Sequence, residues 1–398
     1  MAEKIRLGFV GANVNSIWST QSHFPALLAS PEVEFTAACT SRLESAEEAK
    51  QAFGTKLAFH DFREMATSPD IDAVAVVVRV PLHYEPTKAA IEAGKHVYTE
   101  WPLGQNTAEA EELAALAKAK GVQTAVGLQS RVSPALIYIK ELIETGYVGE
   151  VLSCHVTTMR DGSLTRASDR TWNLDINQGA NTITIANGDV IDALRFVLGD
   201  FGRVTCMVTT QINKMPVTGT DETIDVTAPD NVRVSGQLER GAAVSVHVGA
   251  VPWGGTGFRM EIYGREGTLI TTGSVSSQRG EMLRIQGAQK SNDLADLEIP
   301  ERFVYVPDDF PKGDPFNVGQ MYALFADAIR TGQNRLPTFD DAVDLHRFLD
   351  RSEEHTSELQ SLVNLVCRLR LDKKTTYVPP LPHSTTDSTI IRPSSATM

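Results

Sequence analysis

The chain has 398 residues, 42% of them hydrophobic, and a formal net charge of −13, enough material for a large core divided over two domains. No basic stripe accompanies the acidic balance, which argues against direct nucleic-acid binding, and no apolar run reaches the length that spans a bilayer. The start, Met1-Ala-Glu-Lys-Ile-Arg-Leu-Gly8, enters a strand without the apolar stretch of a signal peptide, and Cys39, Cys154, Cys206 and Cys367 form no Cys-x-x-Cys pair; the expectation is a cytoplasmic protein with buried free thiols, no disulfide framework and no metal site.

In chain order, strands are predicted at Ile5–Val10, Glu34–Cys39, Ala73–Val78, His96–Glu100 and Gln123–Val126. They alternate with stretches of helical spacing such as Tyr84–Ala93 and Ala108–Lys120. This is the pattern of βαβ units, and it predicts an α/β fold whose N-terminal domain, residues 1–128, is a doubly wound parallel sheet of Rossmann type. From Glu150 the runs lengthen and alternate with period two, as in Val232–Glu239, Ala243–Gly249, Phe258–Tyr263 and Thr268–Thr272. Helical patterns cover Ala186–Leu198, Asn317–Thr331 and Asp340–Leu349. Residues 129–350 are therefore read as an α+β domain with an open, mostly antiparallel sheet and helices on one face. The remainder, 351–398, has no apolar period; its opening, Arg351-Ser-Glu-Glu-His-Thr-Ser-Glu-Leu-Gln-Ser361, resembles the conceptual translation of a sequencing-library adapter. It is expected to lie outside the fold, as a non-native or a disordered tail.

A dinucleotide-binding βα turn needs small residues, because backbone amides must approach a pyrophosphate. The first strand here runs into Gly11-Ala-Asn13-Val-Asn15-Ser16, with Asn13 and Ser16 where later glycines would stand. Asparagine tolerates left-handed backbone and serine is small, so the turn remains feasible. At the end of the second strand stands Thr40-Ser41-Arg42, without an acid. Hydroxyls and a guanidinium suit a ribose 2′-phosphate, which favours NADP(H) over NAD(H); a solvated helix-start arginine is the other reading of Arg42.

Four segments together resemble the Gfo/Idh/MocA oxidoreductases: Glu92-Ala-Gly94-Lys95-His96-Val97, Glu100-Trp101-Pro102-Leu103, Gln129-Ser130-Arg131-Val132-Ser133-Pro134 and Gly146-Tyr-Val-Gly149-Glu150-Val151. Trp18, Thr20-Gln21-Ser22-His23-Phe24-Pro25 and Val80-Pro-Leu-His83-Tyr84-Glu85 are similar to the Gal80-like branch of that family. The resemblance implies a nucleotide and a sugar-like substrate meeting between the two domains, with Trp18, Val78, Val80, His83, Glu100, Trp101 and Gln129 joining Gly11, Asn13, Ser16, Ser41 and Arg42 at the cofactor. It implies a homodimer or homotetramer, and a protein partner if the chain is a regulator. Two departures stand out: Trp101 occupies the place of the family's catalytic lysine, and Ile185 and Asp189 align with its Asp-x-x-x-His signature.

Asp189 and His83 are the first choices for the proton that accompanies hydride transfer, with Tyr84 and Glu100 as others. Each has a second reading: His83 as a hydrogen-bonded helix-start residue, Glu100 as a ribose ligand or a cap. Arg131 is read as a cleft residue for a polyol or an acid and Lys140 as a solvated helix residue. Arg160, Trp172, Asn181 and Asn187 are of the types that bind sugars.

Overall fold

The computed structural model describes residues 3–274, 283–290, 293–359 and 369–370, with side chains through Arg351. Strands β1 (Ile5–Val10), β2 (Val33–Cys39), β3 (Leu57–Phe59), β4 (Ala73–Val76), β5 (His96–Thr99) and β6 (Thr124–Val126) form a parallel sheet in the order β3-β2-β1-β4-β5-β6. Strands covered on both faces read as unbroken apolar runs, and all four residues of β4 are buried. The short edge strand β3, with three half-buried residues, is missing from the sequence reading because Leu-Ala-Phe is too short to show a period. Helices α1 (Phe24–Ala29), α2 (Leu43–Phe53), α3 (Phe62–Thr67), α4 (Tyr84–Glu92) and α5 (Thr107–Lys120) alternate with these strands. Connections diverge between β1 and β4, which opens a crevice at the C-terminal ends of the strands.

The chain then passes through α6 (Pro134–Glu144) into a second sheet. Its strands are β7 (Val151–Asp161), β8 (Phe201–Thr209), β11 (Asn231–Leu238), β12 (Ala243–Val251), β13 (Gly257–Gly264), β14 (Gly267–Gly273), β15 (Arg284–Gln289) and β16 (Ala295–Asp296). They lie in the order β16-β15-β14-β13-β7-β12-β11-β8, and a small hairpin of β9 (Lys214–Pro216) and β10 (Thr223–Asp225) stands apart. All neighbours are antiparallel except β7 with β12, so the sheet is mixed. Alternation is visible in β11, where Val232 and Val234 are buried while Arg233 and Ser235 face out.

Helix α9 (Phe339–Leu359) packs on β8 and on α5, so it sits between the two sheets, and helix α7 (Gly188–Leu198) shares the hydrophobic core of the second sheet. Helix α8 (Asp314–Thr331) departs from the expectation. It covers no part of the second sheet but packs on α1 and the turn before it, placing Tyr322 and Phe325 in the core that holds Phe9, Phe24 and Tyr98. Helix α9 continues ten residues past Leu349, through a stretch rich in helix-compatible glutamates, and Leu369–Arg370 pairs with β8. The other tail residues, and Cys367 with them, lie outside the described residues; Cys39 and Cys154 are buried free thiols, and Cys206 is buried as well. Among the described residues no helix is long and apolar enough to cross a membrane.

Candidate active site

Strand β1 ends in Gly11, at φ +94°, and a Cβ there would lie 2.1 Å from the Val77 carbonyl oxygen. Only glycine lets this turn close against the end of β4. The Gly11 and Ala12 amides both donate to the Cys39 carbonyl of β2, at 2.9 and 3.1 Å. The polar residues in the glycine places stabilise the turn themselves. Asn13 Oδ1 accepts the Asn15 amide at 2.8 Å and Ser16 Oγ donates to Ser19 Oγ at 3.0 Å, just before a π-helical turn, Ser19–His23, that runs into α1. Beyond β2, Ser41 and Arg42 are exposed. The Arg42 guanidinium has no hydrogen-bond or ion-pair partner among the described residues, whereas the Thr40 hydroxyl is engaged by Ser45 Oγ at 2.6 Å. Trp18 and Val78 are half-buried beside this turn, and Val80 is buried.

A buried polar network closes the end of β5. Glu100 Oε1 accepts three hydrogen bonds, from His23 Nε2 at 2.8 Å, Gln129 Nε2 at 2.8 Å and the Tyr98 hydroxyl at 3.0 Å. His23 Nδ1 lies 2.7 Å from the Tyr322 hydroxyl of α8. Burial alone would raise the Glu100 pKa, but the His23 hydrogen bond and charge, with Gln129 and Tyr98, outweigh it and hold the carboxyl below its ordinary value. Both tyrosines are pushed well above their ordinary value by burial and by the neighbouring carboxylate, so they stay protonated. The other carboxylate oxygen, Oε2, lies against Gly127, where a Cβ would come within 2.4 Å of it. The side chain keeps 11% of its surface exposed, with Oε1 held by the three donors.

Trp101 is buried, and its Nε1–H donates to the Thr184 carbonyl at 2.8 Å, across the domain boundary. Its ring lies 4.8 Å from that of His346, which burial pushes down to about 4 and so keeps neutral. Thr184 belongs to a π-helical turn, Thr182–Asn187, that delays α7 to Gly188, two residues later than the sequence pattern places it. A Cβ at Gly188 would stand 2.8 Å from Trp101 Nε1. Alanine normally stabilises a helix over glycine by about 1 kcal/mol. Here Gly188→Ala is expected instead to destabilise by about 1–3 kcal/mol, the range for overpacking, as measured by urea unfolding; a stabilised variant would show that the indole is free to shift.

Asp189 follows at once, 3% exposed, in the first turn of α7 and already partnered within the protein. Asn187 before it is fully buried with neither amide atom hydrogen-bonded. The sequence-predicted residues thus come together along one edge: the Gly11 turn, the ends of β2, β4, β5 and β6, and the start of α7. His83 is among them but inward, with Nδ1 2.7 Å from the Pro102 carbonyl and Nε2 3.1 Å from that of Val78. Both ring nitrogens are occupied, and burial lowers its pKa.

Other expectations are corrected. Arg131 does not offer itself to a substrate: its Nε and Nη2 hold fully buried Asp192 at 2.7–3.0 Å and its Nη1 holds Asp341 at 2.8 Å, tying α7 to α9. Trp172 lies under the Arg79 guanidinium at 5.4 Å, while Arg79 Nη2 donates to the Asp169 carbonyl at 2.7 Å, a clasp between the domains. Tyr84 is held by Lys88 at 3.0 Å, whereas Lys140 is the surface helix residue expected, paired with Glu144. Arg160 and Asn181, by contrast, line a pocket in the second domain. Of the network, His23 and Tyr322 carry no role in the sequence reading; the only signal was a polar residue pair inside otherwise apolar helical faces.

Residues 5–128 match the model of an oxidoreductase family with an NAD-binding Rossmann fold, and residues 134–273 match that of the Gal80p C-terminal domain. Dehydrogenase aclE of Aspergillus oryzae is 38% identical over 207 residues, covering 50% of this chain and 57% of that protein. The galactose/lactose metabolism regulatory protein GAL80 of Kluyveromyces lactis is 30% identical over 294 residues, covering 68% and 64%. The chain thus spans less than two thirds of either curated relative. A levoglucosan dehydrogenase solved with NADH and L-sorbose superposes with a TM-score of 0.78 at 23% identity, over 90% of this chain and 98% of that one.

Proposed function

Because the chain belongs to the Gfo/Idh/MocA oxidoreductase family, in its Gal80-like branch, we propose that it is an NADP(H)-dependent oxidoreductase acting at a secondary alcohol or carbonyl of a sugar, polyol or related hydroxy compound. The observation that carries this reading is the placement of Asp189. Glu100 is followed by Trp101, Trp101 packs on Gly188, and Gly188 is followed by the buried Asp189, which supports a carboxylate near the residues that would hold the nicotinamide end of the cofactor. When bound, the nicotinamide supplies the hydride chemistry. Asp189 takes or returns the hydroxyl proton, Glu100 Oε2 orients a ribose hydroxyl, and Trp101 walls the pocket and keeps water out. His83 acts as a positioning residue, joining the end of β4 to the turn after β5 through its two carbonyl contacts.

The residues fit a dinucleotide: the Gly11 turn has the close approach that a pyrophosphate requires, and the tip of β2 offers Ser41 and an unpartnered Arg42 in place of an acid. NADP(H) is expected to bind more tightly than NAD(H), and Arg42→Ala to remove about a tenfold to hundredfold difference, the scale of one or two charge-assisted hydrogen bonds. Fluorescence titration with both nucleotides measures this; equal affinities in the unmodified protein would sink the phosphate preference.

One feature favours a second reading, a nucleotide-binding regulator without turnover: Trp101, a residue that cannot carry a proton, is locked to Thr184 where the family has its lysine. The GAL80 relative is named a regulatory protein. A panel of aldoses, polyols and keto sugars followed by nucleotide absorbance decides between them. Turnover supports the enzyme; nucleotide-dependent capture of a protein with no turnover supports the regulator.

A further inference from the structure

Residues 162–181, which connect β7 to the π-helical turn before α7, leave the second domain and touch the first. They include two short 3₁₀ turns, Ser168–Leu174 and Ile176–Gln178. Main-chain bonds root them in their own domain. The Arg166 amide donates to the Pro216 carbonyl at 2.9 Å and the Thr218 amide to the Arg166 carbonyl at 2.8 Å, while the Leu174 carbonyl accepts the Thr227 and Ala228 amides at 3.0 and 2.9 Å. On the far side the bonds come from side chains of the first domain. Arg79 Nη2 donates to the Asp169 carbonyl at 2.7 Å, with its guanidinium 5.4 Å from the centre of the Trp172 ring, and Gln105 Nε2 donates to the Asn177 carbonyl at 2.7 Å. Arg79, Asp169 and Asn177 are exposed, so these bonds compete with water, whereas Leu174 at the root is buried.

Arg79 and Gln105 stand at the crevice. Arg79 follows Val78, whose Cγ1 would lie 2.8 Å from a Cβ on Gly11, and Gln105 comes shortly after Trp101, between β5 and α5. The segment is therefore tied down beyond the C-terminal ends of both β4 and β5, the edge outside which an open parallel sheet takes its ligands. We propose that residues 167–178 form a strap that closes the nicotinamide end of the crevice, with Arg79 and Gln105 as its latch, and that nucleotide enters and leaves when the latch opens. Opening breaks the exposed bonds from Arg79 and Gln105 and the contact with Trp172, while the main-chain root holds and neither sheet is disturbed. Arg79 acts through the strap, as a positioning residue. This rests on nucleotide binding, which both functional readings share, and needs no turnover.

Stopped-flow mixing with NADPH, and displacement of bound NADPH by excess NADP⁺, measure the two rates. A latch that joins protein to protein, and not protein to nucleotide, slows entry and exit alike and so leaves affinity nearly unchanged. Arg79→Ala is expected to raise the association and dissociation rates together, each by about tenfold, the scale of one charge-assisted hydrogen bond, with Kd nearly constant. Gln105→Ala should act in the same direction to a smaller extent. Trp172→Ala added to Arg79→Ala should change the rates little further, because both side chains belong to one contact. Arg170, exposed within the strap, gives a readout that needs no nucleotide: trypsin should cut there faster in Arg79→Ala than in the unmodified protein. A weaker Kd with an unchanged association rate would show that Arg79 binds nucleotide itself and would overturn the strap, as would unchanged rates or equal cleavage at Arg170. Failure of the unmodified protein to bind NADPH would instead remove the nucleotide reading, and the gating role with it.

Discussion

Replacement of Asp189 by Asn is expected to lower turnover by about 10²–10⁴-fold, the contribution of a positioned acid or base, while nucleotide affinity is unchanged. Asparagine keeps the shape and one acceptor oxygen of aspartate but cannot take a proton. Asp189 belongs to α7 rather than to any strand end that would hold the cofactor, so binding and chemistry should separate. Steady-state rates across pH provide the check. A variant with full rate would assign the proton to another group. Trp101→Lys is a useful companion, because Trp101 fills a buried space against Gly188 and His346 that a lysine would leave partly empty.

The second large effect is on stability. His23→Leu is expected to destabilise the fold by about 3–5 kcal/mol, the cost of leaving a buried charge without its partner. It removes one of three donors to Glu100 Oε1 and strands the Tyr322 hydroxyl. Adding Glu100→Gln to that variant removes the orphaned charge, so the double variant should be less destabilised than the two single effects added together. The network also has a pH signature. Glu100 has a folded pKa below its ordinary 4.5, so its contribution is fully present above that value and is lost as pH falls through the folded pKa. Urea midpoints should decline in acid for the unmodified protein, with this component absent in Glu100→Gln. A His23→Leu protein as stable as its parent would show that the carboxylate is solvated and the network unimportant.

How far the sequence could be read follows from the range of the interactions involved. The parallel sheet was legible because β4 is a continuous apolar run, β1 and β2 are largely buried short runs between helical patterns, and each candidate residue at their ends is fixed by its place after a strand. Asp189 was singled out because the resemblance aligns it with the His of the family's Asp-x-x-x-His signature, a local stretch of sequence. The His23–Glu100–Tyr322 network was not legible, since its members are 77 and 299 residues apart in the chain and nothing local distinguishes a hydrogen-bonded buried histidine from any other. Arg131 misled for the same reason: its two carboxylate partners lie 61 and 210 residues away. The start of α7 was displaced because the π-helical turn Thr182–Asn187 inserts a wider turn that has no signature in the hydrophobic period. Strand β7, central in its sheet, escaped because its outward residues are themselves half-buried and its alternation is weak.

The packing of α8 bears on how this protein comes into being. Strand β6 is the edge of the parallel sheet, and its Val126 amide donates to Pro337 at 2.9 Å while Asn334 reaches the Thr124 carbonyl at 2.8 Å. The same C-terminal stretch delivers Tyr322 to His23. During synthesis, the first 128 residues therefore emerge with an unpaired strand edge and an uncovered aromatic face, and they wait for some two hundred more residues before either is satisfied. Exposed edges and apolar faces are where nascent chains associate wrongly. A first domain of this kind that is released early, by truncation or by a premature stop, should aggregate rather than persist as a smaller folded protein.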